Sequence, residues 1–193
     1  MNTITIDDMK IRPLTPAIWH DFETLFGPRG AYGGCWCMWW RSSRNEFVKG
    51  QGEGNRLAMK SLVDSGIVPG LVAYQDDEPC GWCSVAPREH FSSLERSRIL
   101  KRIDGKEVWS LVCFFISKKY RSMGISKKLV HGAIEYVKSE GGKIIEAYPT
   151  VIREKELPPV SSFMGIVKIF KKVGFKEVHH PSKSKIIMRY YIK

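Results

Sequence analysis

The sequence predicts an α/β fold: one mixed sheet with helices on both faces. Two observations carry this. Short apolar or alternating runs of strand length are interspersed with segments of helical period, and Gly, Pro or Asx clusters separate them. Their order is strand, helix, helix, strand, strand, a charged insertion, strand, helix, strand, helix, strand, strand, which is the mark of a layered mixed sheet.

Met9 to Leu14 reads as the first strand. Thr15-Pro16 then starts a helix, Thr as N-cap and Pro in the first turn, running to Phe26 and stopped by Gly27-Pro28. Residues 28–54 are rich in Gly, Trp, Cys and Arg without a clear period and read as a long loop with a helical turn. A second helix over 55–64 is expected, capped by Asn55 and ended near Gly66. Residues 71–75 and 80–85 flank Asp76-Asp77-Glu78-Pro79 and read as a hairpin. The charged stretch 87–106 is expected to be an inserted helix or loop. Strand 108–116 (VWSLVCFFI) then leads through Tyr120-Arg121-Ser122-Met123-Gly124-Ile125-Ser126 into a helix over 126–140. That helix carries Leu129, Val130, Ala133, Ile134 and Val137 on one side and ends at Gly141-Gly142. A strand over 143–149, a polar segment with Pro158-Pro159, a helix over 162–172 and a hairpin of 175–178 with 186–191 complete the chain.

The 193 residues suit one domain spanning 1–193, with 43% apolar and 26% charged residues, as in an ordinary globular protein. The formal net charge of +11 is high. It fits nucleic acid, an acidic surface or a small polyanion. The lysines are scattered in short clusters with no long basic arm, so a small anion is preferred and no nucleic-acid partner is expected. The first ten residues lack the features of a signal peptide, and no apolar run approaches the ~20 residues that span a bilayer. A cytoplasmic protein with no membrane partner is expected, and five cysteines, an odd number, then read as reduced thiols.

The unit from Val108 to Pro149 holds most of the chemistry. A strand running through Arg-x-x-Gly-x-small into a helix N-terminus can hold a pyrophosphate, because successive main-chain N–H groups and the helix dipole face the anion. Together with Phe170-Lys171-Lys172-Val173-Gly174-Phe175, this unit resembles the GNAT superfamily of acetyl-CoA-dependent N-acetyltransferases, over most of the chain from Lys10 onward. Ser126 stands where that family has Gly or Ala. The resemblance implies a mostly antiparallel sheet of about six to seven strands. It further implies a main-chain cradle for the pyrophosphate from Arg121 through Ser122, Met123, Gly124 and Ile125 to Ser126, with Phe115 and Ile116 along the pantetheine arm. Acetyl-CoA is the implied co-substrate, a primary amine of a small molecule the implied acceptor, and a homodimer a common state in the family.

Acetyl transfer to an amine needs a proton acceptor and an oxyanion donor, and an acid for the leaving thiolate helps. The donor is expected at the main-chain N–H of Ile116 or nearby. Glu146 is the first candidate base, and alternation along its strand puts Tyr148 on the same face; the plainer reading of Glu146 is a strand-end charge paired with a lysine. His90 is the alternative base. The family's usual tyrosine position holds Phe170, so Tyr148, Tyr190 or Tyr191 must substitute or the thiolate must leave unprotonated. The segment Gly33 to Arg41 suggests an aromatic wall for the acceptor made by Cys35, Trp36 and Trp39, against the alternative that the tryptophans are local core. Cys35-x-Cys37 with Cys80-x-x-Cys83 is spaced poorly for zinc, and no metal is expected. A non-catalytic acyl-CoA-binding or regulatory protein is the alternative function.

Overall fold

The computed structural model describes residues 3–151 and 163–193. The polar segment around Pro158-Pro159 and residue 162 lie outside them; the helix expected over 162–172 begins later, at Val167, because 163–166 form a turn and a bridge to Thr150. Eight strands form one sheet: β1 (Ile4–Ile6), β2 (Met9–Pro13), β3 (Leu71–Gln75), β4 (Glu78–Pro87), β5 (Trp109–Ile116), β6 (Ile144–Ala147), β7 (Lys176–Ser182) and β8 (Lys185–Tyr191). Their spatial order is β1-β2-β3-β4-β5-β6-β8-β7, and every pairing is antiparallel except β5 with β6. The sheet has one strand more than expected because Ile4–Ile6 turns back through Asp7 and Asp8, both at positive φ, to pair with β2.

The helices are α1 (Trp19–Phe26), α2 (Arg44–Lys49), α3 (Glu53–Asp64), α4 (Ser92–Glu95), α5 (Ile125–Ser139) and α6 (Val167–Val173). On one face, α5 buries Leu129, Val130, Ala133 and Val137 against Leu111, Ile145, Ala147 and Met188, and Phe170 of α6 joins the same core. Gly81 of β4 lets the start of α5 approach, since a Cβ there would stand 2.9 Å from Ile125. On the other face, α1 and α3 cover Val72, Tyr74 and Trp82 with Phe22, Phe26, Met59 and Val63. Beside them the insertion seals a third cluster, Phe91, Leu94 and Leu100 against Val112, Tyr148 and Ile187.

Four local expectations change. Residues 28–54 hold a full helix, α2, closed by a reciprocal capping box between Ser43 and Glu46. Asn55 is not an N-cap; it lies buried inside α3 and donates to the carbonyls of Gly34 and Phe47, tying the loop down. The hairpin of β3 and β4 turns on Asp76-Asp77, both left-handed, the geometry of a tight two-residue turn. His179, His180 and Pro181 belong to β7 rather than to the terminal turn, which falls at 183–184.

Candidate active site

β5 and β6 run parallel for three residue pairs, Trp109 with Ile145, Ser110 with Glu146 and Leu111 with Ala147, and then separate. From Val112 onward β5 faces a gap on that side. Ser117 N–H donates to Cys80 O of β4, so alternation turns the main chain of Phe115 toward β4 and those of Phe114 and Ile116 toward the gap. Of the two residues expected to run along the pantetheine arm, Ile116 therefore presents its main chain there. Phe115 does not: its main chain faces Trp82 of β4 and its ring packs 5.3 Å from Phe26. The carbonyl of Ile116 accepts from Arg121 Nε at 3.3 Å. Phe114 N–H points into the gap and donates to Phe163 O at 2.6 Å.

Past β5, a one-turn 3-10 segment at Lys118–Tyr120 leads into the turn that opens α5. Gly124 is left-handed (φ 78°), as is Ser122 (φ 65°). Arg121, Ser122, Met123 and Gly124 are all exposed. None of the hydrogen bonds of the described residues is donated by the main-chain amides of Ser122, Met123, Gly124 or Ile125, whereas Lys127 and Lys128 both donate to Gly124 O. Exposed amides at the positive end of a 15-residue helix, with Arg121 and Lys127 beside them, fit a diphosphate.

Glu146 and Tyr148 do face the same side and bond at 2.8 Å, but their setting is not that of a base and an acid. Glu146 is 1% exposed and both its carboxylate oxygens are taken, one by Arg88 Nη1 at 2.9 Å and one by Arg189 Nε at 2.7 Å. Arg88 is fully buried; it also donates to Glu95 at 2.5 Å, to Tyr148 Oη and to the carbonyls of Leu94 and Leu100. Burial, with the charge of Glu146 adding to it, pushes the Tyr148 phenol well above its usual range, and Ser110 shares its hydroxyl. Arg189 goes on to grip Asp104 through two bonds. This network nails the insertion to β6 and β8, and it corrects the expected catalytic pair to a pair of anchors. A base must reach the substrate's proton; Glu146, 1% exposed and held between two guanidinium groups, is poorly placed for that.

The acceptor wall also changes. Trp36 is buried and stacks on Phe26 at 5.6 Å, so it belongs to the local core. The Cys35 thiol bonds Gly30 O at 3.6 Å. Trp39 is 38% exposed and stands against Phe47, with Arg44 over its ring. The side chains brought to the sheet are instead Cys37, Trp40 and Arg41. Trp82 Nε1–H donates to Cys37 Sγ at 3.2 Å. The neighbouring Cys113 thiol and, against burial, the Trp82 indole N–H and the charge of Arg41 lower the pKa of the Cys37 thiol. Arg41 lies over the Phe91 ring and donates to Pro69 O at 2.9 Å. Burial brings its guanidinium down to about 10. Burial and the charge of Arg41 lower the pKa of His90, which is exposed on the same side. Phe170 is fully buried beside Phe114 and Phe175, so the family's tyrosine position offers no proton. Among the described residues no group of three His, Cys, Asp or Glu side chains could hold a metal ion.

The split between β5 and β6 and the amide turn at α5 find their counterpart in known proteins. The sequence model of the Acetyltransferase (GNAT) family matches residues 36–154. The chain belongs to that family. It is an acetyltransferase of the GNAT type, and the use of acetyl-CoA comes with the family. Solved structures share its fold across nearly the whole length. A GNAT-family acetyltransferase from Streptococcus agalactiae is 15% identical, with 98% of each chain covered and a TM-score of 0.58. The ribosomal-protein-S5-alanine acetyltransferase from Vibrio fischeri is 14% identical, covering 100% of this chain and 97% of its own, TM-score 0.55. The PaiA N-acetyltransferase from Thermoplasma acidophilum, solved in complex with coenzyme A, is 17% identical over 95% and 98%, TM-score 0.52. A search among curated proteins finds no match. In the described residues no helix is long and apolar enough to cross a membrane.

Proposed function

We propose that this GNAT acetyltransferase moves the acetyl group of acetyl-CoA to the primary amine of a small acceptor, by direct attack within a ternary complex. The single observation that carries the reading is the turn into α5, where the amides of Ser122 to Ile125 donate to no group among the described residues. Phe114 N–H, bound here to Phe163 O, points into the gap, where a main-chain donor freed by the coenzyme would stabilise the charge that develops when a thioester carbonyl is attacked. The amides of Ser122 to Ser126 grip the diphosphate, and Ile116 offers its main chain to the pantetheine arm. CoA supplies the activated acetyl group.

The amine would enter from the face opposite α5, beside the Cys37–Arg41 loop and β5. There His90 accepts the ammonium proton. Partial burial and the neighbouring guanidinium shift its imidazole toward the neutral form, the one a base requires. With Phe170 in place of tyrosine, the CoA thiolate departs unprotonated, which a thiol pKa of ~8.5 permits.

The missing hydroxyl at Phe170 favours a second reading, a protein that binds acyl-CoA without turning it over. Calorimetry with acetyl-CoA, followed by thiol release over an amine panel, separates the two. The transferase releases CoA with the right amine, and His90→Gln lowers kcat/KM about tenfold or more while coenzyme affinity stays. Tight acetyl-CoA binding with no turnover on any amine establishes the binding protein instead.

A further inference from the structure

We infer that the acceptor amine also carries a carboxylate, and that Arg41 grips it. The inference rests on the transferase reading, because it takes the Cys37–Arg41 loop as one wall of the acceptor site.

Of the sheltered arginines of the described structure, three pair with carboxylates, whereas Arg12, which lies over the Tyr74 ring, and Arg41 do not. Arg56 pairs with Glu23 and Glu53, Arg88 with Glu95 and Glu146, and Arg189 with Asp104 and Glu146. Arg41 pairs with no carboxylate among the described residues. Among the described residues its Nη2 reaches neutral oxygens, Pro69 O at 2.9 Å and Ser84 Oγ at 3.5 Å, and its Nε is buried with no hydrogen-bond partner. The preceding residue repeats the pattern: Trp40 Nε1 is also a buried donor without an acceptor. A cation and two donors sheltered without an anion are costly, and native proteins rarely leave such groups unanswered. A carboxylate would answer the Arg41 cation, since a guanidinium fork takes two oxygens side by side.

The place suits an acceptor. Ser84, which Arg41 touches, is the register partner of Cys113, two residues past the point where β5 leaves β6. The loop is held rigid there: Ser93 N–H donates to Trp40 O at 3.0 Å, and Ser92 Oγ to Arg41 O at 2.8 Å. A carboxylate on Arg41 would place the amine of a short acceptor between His90 and the gap. The one competing anion is the Cys37 thiolate, whose charge Arg41 favours. If that thiolate is the real counter-ion, the acceptor needs no acid group, and the experiment must tell the two apart.

The test uses matched pairs, amino acids against their amides, with acetyl-CoA and thiol release as the readout. The wild type should favour the acid by ~tenfold to a hundredfold in KM, the range expected from one charge-assisted pair. In Arg41→Gln that ratio should fall to near one, and in Trp40→Phe it should fall a few-fold. A Cys37→Ser protein should keep the preference. Preference for the amide, or an Arg41→Gln protein that slows both members of a pair equally, overturns the proposal. A second readout needs no turnover: with CoA present, the acid should raise the melting temperature of the wild type and not of Arg41→Gln, and equal shifts would also overturn it. Wild-type protein that fails to bind acetyl-CoA in calorimetry sinks the transferase reading itself. Protein that binds acetyl-CoA and acetylates only neutral amines sinks the carboxylate alone.

Discussion

Glu146 shows how far a residue's environment can redirect its chemistry. A carboxylate with both oxygens held by buried guanidinium groups cannot release one without leaving a buried cation short of an acceptor, although Glu95 and Asp104 still face the two arginines. Glu146→Gln should therefore cost about 3–5 kcal/mol in urea unfolding while activity per folded molecule changes little. Wild-type stability with lost turnover would return Glu146 to the role of base. Gly124 presents the converse case. At φ 78° it has nothing of the protein within 4 Å of where a Cβ would stand, so space on that side is left for a ligand. Gly124→Val should lose about 1–2 kcal/mol from the left-handed strain alone. Its CoA affinity, read by calorimetry, should fall further than that strain explains; unchanged affinity would place the diphosphate elsewhere.

At the scale of elements, the insertion between β4 and β5 is what the active face depends on. It is held by ion pairs as well as by the cluster of Phe91, Leu94 and Leu100. Arg189 holds the Asp104 carboxyl down to about 2. The group has a folded pKa below its unfolded one, so its contribution is complete above the ordinary value of ~3.9 and disappears as pH falls through about 2. Limited proteolysis within 88–105 should thus accelerate between about pH 4 and about pH 2 in the wild type. Asp104→Asn should show the faster cleavage already at neutral pH. Equal cleavage of the two proteins at neutral pH would mean the pair does not hold the segment.

For the whole molecule, the charge of +11 acts as a field over the coenzyme mouth, where Lys118, Arg121 and Lys127 stand at the turn into α5. Acetyl-CoA affinity should fall several-fold between ~0.05 M and ~0.5 M salt, since exposed charges are screened over that range. The main-chain contacts at Ser122 to Ser126 should keep binding measurable at the upper end. Binding that disappears entirely with salt would point to a surface charge effect without a built cradle.

The sequence by itself determined the order of the elements, the buried stripe of α5 and the amide turn before it, because each is written in neighbouring residues. Apolar periodicity, Gly124 and the Arg121-to-Ser126 spacing are local signals, and local structure obeys them. Even the capping box of α2 was spelled out in Ser43 and Glu46. Only the tertiary structure decided that Glu146 and Tyr148 sit in a buried ion-pair network, that Trp36 packs in the local core, and that Arg41 meets no carboxylate among the described residues. The first of those outcomes depends on Arg88, 58 positions from Glu146 in the chain, and on Arg189, 43 positions away. Pairings over such separations leave no periodic trace, so the charges they satisfy look free until the chain has folded around them.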